Sequence, residues 1–351
     1  MTFSTSCHSH SDAGPHSDHP RCGGWKSILL ALASLFALTP CLLSEEAAVE
    51  KPAADGKEPH RTDWLHKAKW GVMFHYCSNM MNMMGSKDAA GNKINYNDGA
   101  TWNKTIQDFD VPGLAKQLEE IGAGYFLITA KHCGNPIAPN KAYEQKNPGL
   151  CPKRDLIMDL ADELAKHDIK LMLYYATGMG VPPVPDTAKA SAAVIEEFSM
   201  RYGKKVAGWW LDNSVSDVSV QKIIADAARA GNPEAILAYN QARAPKRNSP
   251  YDDYTAGDTH APGNVRCSGR FVSGAQWHIL SPLSGNWAGI CKTRGNPRFP
   301  TGKAVGITAG HTSRGGAVTW DVPYLASGLL DPAIHDQLKA IGQALAQQPG
   351  K

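Results

Sequence analysis

Short apolar runs alternate with amphipathic segments along most of the chain, from Trp64 towards its C-terminal end. The runs have the length of buried strands, and the segments between them carry apolar residues at helical spacing. Five strands are predicted in the first part of this region, at 69–76, 125–132, 170–177, 206–212 and 235–241. Helices are predicted between them at 111–123, 154–169, 188–202 and 217–230. This alternation is typical of parallel βαβ units.

The pattern weakens after residue 241, where little helix separates the apolar runs. Three further strands are predicted at 253–258, 275–280 and 316–323, and a closing helix at 331–347. Eight strands alternating with helices predict an α/β fold, a single (β/α)₈ TIM-barrel-like catalytic domain. An open doubly wound sheet is the alternative, but no GxGxxG sequence follows the first strand.

The N-terminal part of the chain differs from the rest in composition. Residues 1–26 are rich in His, Ser, Gly and Pro and predict a disordered leader, which a start codon assigned too far upstream would explain. The apolar run in 27–44 and the polar linker 45–61 follow in the order of an exported protein, so we expect a signal peptide and a secreted or periplasmic location. An uncleaved membrane anchor is the alternative, although the run is short for a membrane span. The domain then covers 62–348, with no stable membrane insertion expected after processing.

The composition is that of an ordinary globular protein, with 42% hydrophobic and 20% charged residues. The formal net charge is only +3 and no basic run contains interleaved aromatic residues, so nucleic acid is not an expected partner. Five of the eight cysteines lie in the predicted domain: Cys77, Cys133, Cys151, Cys267 and Cys291. Their odd number and the lack of CxxC spacing argue against a disulfide framework or a zinc site. A single bridge, for example between Cys267 and Cys291, would suit an exported protein.

Polar and aromatic side chains stand at the ends of the predicted strands, where the active sites of (β/α)₈ barrels lie. The candidates are His75, His132, Tyr174, Trp210, Asp212, Asn240, Arg243, Asp258, His260, Trp277, His278, Trp320 and Asp321. Aromatic rings present an apolar face to the C–H surface of a sugar, while histidine, arginine and asparagine bind its hydroxyl groups. The set therefore predicts a pocket for a neutral sugar.

Two carboxyl groups are the minimum that a glycosidase needs, and in a retaining enzyme they lie about 5–5.5 Å apart. Asp212, at the end of "GWWLD", and Asp258, at the end of "DYTAGD", are the candidate pair. The alternatives are that Asp212 caps the following helix and that Asp258 belongs to a loop, where Asp252 and Asp253 compete for its role. Asp321 is as compatible with a buried structural hydrogen bond as with catalysis.

Two other kinds of site have weaker support. The histidines lack HxH or HExxH spacing, so no metal and no other cofactor is expected. Cys133, next to His132, has the chemistry of a thiol nucleophile, but no Asp or Asn partner and no oxyanion motif accompany it.

Six segments follow one another in a familiar order: "WLHKAKWGVMFHY", "GAGYFLITAKH", "GWWLD", "DYTAGD", "GGAVTWDVP" and "LKAIGQAL". From Trp64 to Leu345 the chain thereby resembles the α-L-fucosidase-like proteins of glycoside hydrolase family 29. The resemblance implies a retaining glycosidase without a cofactor, with Asp212 as the nucleophile and His75 in contact with the substrate. It places Asp258 at the position of the family's acid/base glutamate.

The chain also departs from the family's pattern. Cys133 and Gly134 stand where the family has a second His and an Asp, Asp258 is shorter than the expected glutamate, and the β-sandwich that usually follows the barrel has no counterpart. We therefore expect a divergent retaining glycoside hydrolase that cleaves terminal α-L-fucosyl or related residues from a carbohydrate. The predicted substrate-binding residues are His75, His132, Trp210, Arg243, Trp277, His278 and Trp320. A glycosidase of different sugar specificity and a non-catalytic carbohydrate-binding barrel remain the alternatives.

Overall fold

A computed structural model describes residues 59–177, 185–241, 245–287 and 296–347. The predicted leader, the apolar segment and almost all of the linker lie outside these residues, as do Arg243 and Cys291. The α-helices of the described part are Asp63–Ala68 (α1), Ser78–Met84 (α2), Gly99–Gln107 (α3), Val111–Ile121 (α4), Lys141–Glu144 (α5), Leu156–Lys166 (α6), Pro185–Tyr202 (α7), Val218–Arg229 (α8), Thr301–Thr312 (α9) and Pro332–Ala346 (α10). None of the helices in these ranges is long and apolar enough to span a membrane.

The strands are Trp70–Phe74 (β1), Tyr125–Lys131 (β2), Lys170–Ala176 (β3), Val206–Asp212 (β4), Ile236–Tyr239 (β5), Phe271–Val272 (β6), Ala275–Gln276 (β7), His278–Pro282 (β8) and Ala317–Asp321 (β9). Seven of them form one parallel sheet in the order β5-β4-β3-β2-β1-β9-β8. Helices connect most of the neighbouring strands, as the alternating sequence pattern predicts. The (β/α)₈-like fold is confirmed.

The prediction of a regular sixth strand at 253–258 is wrong. This segment makes only isolated bridges to the hairpin strand β7 and to β8. It nevertheless joins the two edges of the sheet, because Asp253 N donates to Leu237 O of β5 at 2.9 Å and Leu280 N of β8 donates to Gly257 O at 3.0 Å. Gly257 has φ +64°, and a Cβ there would lie 2.1 Å from His278 O, so only glycine permits this approach.

The strands carry apolar side chains on both faces and so separate two cores. The outer core packs the sheet against the helices and includes Trp209, Phe126 and Trp320. The inner core fills the barrel and includes Met172, Trp210 and Leu280. Period-two alternation explains the opposite destinations of the adjacent Trp209 and Trp210. Both cores are needed to bury a sheet whose strands are apolar throughout.

The inner core also contains a histidine. His278 is 1% exposed, its Nδ1 lies 2.8 Å from Thr255 O, and its Nε2 lies 2.7 Å from Thr319 Oγ1. The carbonyl can only accept, so Nδ1 carries the proton and Nε2 accepts from the threonine hydroxyl. Burial lowers the pKa of His278 to about 4.

This histidine predicts a loss of stability in acid. In the unfolded chain His278 binds a proton below its ordinary pKa of about 6.5. In the folded chain it binds that proton only near pH 4. The free energy of unfolding should therefore fall between these pH values by up to about 3 kcal/mol, at 1.36 kcal/mol per pKa unit. Urea unfolding of the wild type and His278→Gln at pH 7, 5.5 and 4 measures the effect. The variant should show a shallower pH dependence, and equal slopes would contradict the assignment.

Candidate active site

Asp212 is the last residue of β4 and lies two residues after Trp210, on the inner side of the barrel. The alternative that it caps the following helix is wrong. Helix α8 begins at Val218, and Asp217 is its cap, accepting from Ser219 N at 2.8 Å. The Asp212 carboxylate is instead 18% exposed at the mouth of the barrel.

Three side-chain donors surround this carboxylate. The Tyr174 hydroxyl donates to Oδ2, Asn240 Nδ2 donates to Oδ1 at 2.9 Å, and Asn213 Nδ2 donates to Oδ2 at 3.3 Å. Burial first, and then the neighbouring Asp212, raise the pKa of Tyr174 well above its usual range. The tyrosine is therefore a hydrogen-bond donor throughout the pH range of an enzyme assay. Together these donors fix both oxygens of Asp212.

Asn240 also connects Asp212 to the second candidate carboxyl group. Its Nδ2 donates to Asp258 Oδ2 at 3.2 Å in addition to Asp212 Oδ1 at 2.9 Å. Since one nitrogen binds both, the two oxygens are at most about 6 Å apart, which suits the about 5–5.5 Å of a retaining pair. The structure thus brings Asp212 and Asp258 together, whereas Asp252 and Asp253 accept from backbone amides of β5 and of the loop that follows it.

His75 follows β1 and lies between the carboxylates and Asp321. Its Nδ1 is 2.8 Å from Asp321 Oδ1. Burial lowers the pKa of His75, but Asp321, and after it Asp212 and Asp258, outweigh burial and raise the pKa overall. Asp321 is 1% exposed and is hydrogen-bonded to this histidine. Of the two roles that the sequence left open for Asp321, the structure shows the buried hydrogen bond. With Nδ1 held, Nε2 is the atom that can bind a sugar hydroxyl.

Aromatic rings form the wall of the site. His132 stacks on Tyr174 with centroids 5.4 Å apart, and its Nε2 lies 3.9 Å from Asp212 Oδ2. Trp287 packs 5.6 Å from the His75 ring and 5.2 Å from the His260 ring. Trp210 stacks beneath Tyr174 at 5.1 Å and donates from Nε1 to Ala256 O, so it supports the wall from below. Because Trp210 is only 2% exposed, its predicted role in contacting the substrate is wrong.

Three predicted substrate-binding residues lie elsewhere in the barrel. Trp277 and His278 stand at the start of β8, because the strand runs from His278 to Pro282 rather than ending at residue 280. Trp277 Nε1 donates to His311 of α9, and His278 is held inside the barrel. Trp320 faces the helices, where its Nε1 donates to Thr308 Oγ1 at 3.0 Å. The prediction that these three line the pocket is therefore wrong, and Arg243 lies outside the described residues.

One cluster beside the wall has the ligand atoms of a metal site. Cys77, His132 and Cys133 place their sulfur and ring nitrogen atoms within 4.8 Å of one another. Lys131 is close enough for both sulfurs to raise its pKa, although burial lowers that pKa more. Burial thus disfavours the charged form of Lys131.

Comparison of the whole sequence with known protein families agrees with this arrangement of two carboxyl groups at the end of a parallel barrel. The family profile described as Alpha-L-fucosidase matches residues 38–349. The chain belongs to the α-L-fucosidase family. The resemblance drawn from its segments is thereby confirmed, and the protein is a glycoside hydrolase. No curated protein matches the sequence significantly.

Solved structures of the fucosidase family and of a related class share the fold. A GH29 α-L-fucosidase from Bacteroides thetaiotaomicron, trapped as a covalent intermediate with 2-fluoro-fucosyl fluoride, is 16% identical with a TM-score of 0.61, over 84% of this chain and 76% of that chain. The α-L-fucosidase AlfC in complex with Fuca(1,6)GlcNAc is 16% identical with a TM-score of 0.61, over 82% and 98% of the two chains. The endo-fucoidan hydrolase MfFcnA4 of family 107 is 15% identical with a TM-score of 0.60, over 83% and 54%.

The sequence did not show the contacts that three residues make in this fucosidase-family site. Tyr174 and Asn240 stood among the strand-end residues, but nothing in their spacing showed that both reach Asp212. Trp287 lies in the loop after β8, beyond any periodic segment. A sequence signal existed for the first two, since each occupies the end of a strand next to β4.

Proposed function

We propose that this protein hydrolyses α-L-fucosides with retention of configuration, with Asp212 as nucleophile and Asp258 as acid/base. The observation that carries the proposal is the single Asn240 amide nitrogen that donates to both carboxyl groups, at 2.9 and 3.2 Å. An inverting enzyme needs carboxyl groups about 6.5–9.5 Å apart to hold a water molecule between base and sugar. The shared amide supports the shorter separation.

In the first step an Asp212 oxygen attacks the anomeric carbon while the glycosidic C–O bond breaks. Asp258 gives its proton to the leaving oxygen, so an alcohol departs and a glycosyl-enzyme ester remains on Asp212. Tyr174 and Asn240 bind the attacking carboxylate and orient it. His75 and His132 flank the same carboxylate and supply hydrogen bonds to the sugar.

In the second step the Asp258 carboxylate takes a proton from water, and the resulting hydroxide oxygen bonds to the anomeric carbon. The ester bond to Asp212 breaks and returns the carboxylate, with Asp258 protonated for the next cycle. Two displacements on opposite faces restore the original configuration. The two steps use the same pair of carboxyl groups and require no cofactor.

The sugar assignment is supported by the family, and the pocket is compatible with it. Trp287 and the His75 ring offer apolar faces next to hydrogen-bonding atoms, which suits a deoxy sugar with one methyl group and several hydroxyls.

The test is the configuration of the first product from 4-nitrophenyl α-L-fucoside, followed by proton NMR before mutarotation. The α anomer of fucose should appear first. Initial release of the β anomer would overturn the retaining mechanism. A parallel panel of aryl α-L-rhamnoside, β-D-galactoside and α-D-mannoside tests the sugar specificity. A higher kcat/KM for one of these than for the fucoside would assign the enzyme to that sugar instead. Binding of fucose without turnover of any glycoside would favour a non-catalytic barrel.

Tyr174→Phe should lower kcat/KM for the aryl fucoside by about 10- to 100-fold, because a hydrogen bond to a charged group contributes about 1.5–3 kcal/mol. The loss should fall mainly on kcat, since the hydroxyl contacts the nucleophile. Tyr175→Phe is the matched control, because Tyr175 is buried on the outer face of the same strand. Equal losses in the two variants would contradict the role of Tyr174.

We also propose that the protein is exported, from the charge and apolar run at residues 26–43. Fusion of residues 1–61 to a reporter that folds only outside the cytoplasm tests this. Deletion of the apolar run should abolish the reporter signal, and an unchanged signal would contradict export.

A further inference from the structure

The mechanism makes no use of the two cysteines next to His132. Cys77 follows β1 as the residue before α2, and Cys133 follows β2, so neighbouring parallel strands deliver the two thiols to one place. Their sulfur atoms lie within 4.8 Å of each other. Both are free thiols in the structure.

The two thiols differ in the way that a reactive dithiol requires. Cys77 is 0% exposed, and burial raises its pKa, whereas Cys133 is partly exposed. The nearby Cys77 thiol, and then the contact with His132, lower the pKa of Cys133. A partly exposed thiolate backed by a buried thiol is the arrangement in which the first attacks a reagent and the second resolves the product.

We propose that Cys77 and Cys133 form a redox-active dithiol that a low-molecular-weight disulfide converts to a Cys77–Cys133 disulfide, and that this modification acts on the active site through His132. The Cys133 thiolate attacks one sulfur of the reagent RSSR, the reagent's S–S bond breaks, and RS⁻ leaves. Cys77 then loses its proton to solvent and attacks the Cys133 sulfur, which releases the second RS⁻. The protein loses two electrons, and the reagent gains them as two thiols.

The link to the active site is the His132 ring. Two contacts fix its Nδ1 side, the Cys133 sulfur at 2.8 Å and the Cys133 backbone N–H at 2.6 Å. Its Nε2 lies 3.9 Å from Asp212, and its face stacks on Tyr174, which donates to the same carboxylate. A sulfur drawn towards Cys77 no longer holds the ring. Because a displacement of about 1 Å near the chemistry can cost about 10²-fold, we expect kcat/KM to fall about 10- to 100-fold on oxidation.

The experiment treats the full chain with glutathione disulfide, alkylates the remaining thiols and maps the cysteine peptides by mass spectrometry. A peptide pair joined through Cys77 and Cys133, removed by dithiothreitol and absent from Cys77→Ser, supports the proposal. A stable glutathione adduct on Cys133 without the internal bond would overturn it. So would a tightly bound zinc ion that protects both thiols from the reagent. This readout needs no enzymatic activity, so it stands apart from the proposed function.

The effect on activity rests on the proposed function and is measured separately. The ratio of kcat/KM before and after oxidation should change about 10-fold or more in the wild type and recover with dithiothreitol. In Cys77→Ser and Cys133→Ser the ratio should stay near one, whatever their basal activity. Cys151→Ser is the matched control, because Cys151 contacts Asn140 and Glu144 away from the site, and it should keep the wild-type response. A formed bond with an unchanged ratio would overturn the link through His132.

Discussion

Replacing Asp212 by alanine is expected to lower kcat/KM for 4-nitrophenyl α-L-fucoside by about 10⁴- to 10⁶-fold, the range found when a covalent nucleophile is removed. The glycosyl-enzyme forms on this carboxylate, so its loss removes the first step rather than weakening it. Replacement by alanine removes only a carboxyl group at the mouth of the barrel, where the Asp212 side chain is 18% exposed, so the variant should still fold. Steady-state kinetics and thermal unfolding of the purified variant check both statements.

Azide separates a missing nucleophile from a damaged site. In Asp212→Ala the azide ion can enter the space of the carboxylate and attack the anomeric carbon directly, giving a fucosyl azide of inverted configuration. Asp217→Ala is the control, since Asp217 caps α8 only five residues later and contacts neither carboxyl group. It should retain wild-type kcat/KM. Near-wild-type activity in Asp212→Ala would show that the nucleophile is another residue.

The barrel was predictable because buried parallel strands are short continuous apolar runs, whereas the helices between them have apolar residues at helical spacing. β3, β4 and β5 lie within the apolar runs that the pattern predicts, and α6 and α8 lie within the predicted helices at 154–169 and 217–230. The sixth position failed because its closure depends on Gly257 and on backbone hydrogen bonds to both sheet edges. These interactions leave no period in the sequence. Helix α9 was not predicted at all, although it covers β9.

The site was predictable where a strand end was placed correctly. Asp212 and His132 fall at true strand ends, and Asp258 reaches them through the closing segment. Trp277 and His278 failed because a shift of a few residues along a strand moves a side chain from one end of the barrel to the other. Trp320 failed because period-two alternation sends it to the helices while Asp321 faces inward. The sequence pattern predicts where a strand lies, but the exact ends of the strand and the face on which a side chain lies decide whether that side chain reaches the active site.

The structure shows the surroundings of the three residues that depart from the family pattern, Cys133, Gly134 and Asp258. Cys133 occupies the place of a second histidine and holds His132 through its sulfur, so the ring keeps an anchor of different chemistry. Gly134 has φ +105° and a Cβ there would lie 2.2 Å from Ser78 Oγ, so an aspartate at this position cannot be accommodated without rearrangement. Asp258, which is shorter than the expected glutamate, accepts a hydrogen bond from Asn240, and the same amide binds Asp212.

Asp258→Ala is expected to show a loss of activity that depends on the leaving group. General acid catalysis contributes about 10²- to 10⁴-fold, and its contribution is largest where the departing oxygen is most basic. For an alkyl or unsubstituted phenyl fucoside, kcat/KM should fall by about 10³-fold or more. For 2,4-dinitrophenyl fucoside, whose oxygen leaves without a proton, it should fall much less. A set of aryl fucosides spanning several units of phenol pKa measures this dependence in both proteins.

The same variant tests the second half of the cycle and the identity of the acid. With an activated fucoside the glycosyl-enzyme should accumulate in Asp258→Ala, because no base activates water, and azide should accelerate turnover and give a fucosyl azide of retained configuration. The pH profile of kcat/KM should also lose its basic limb, since that limb reports the acid. A loss equal across all leaving groups, with the basic limb intact, would instead mean that Asp258 only positions Asn240. The proton would then come from another residue at the mouth of the barrel.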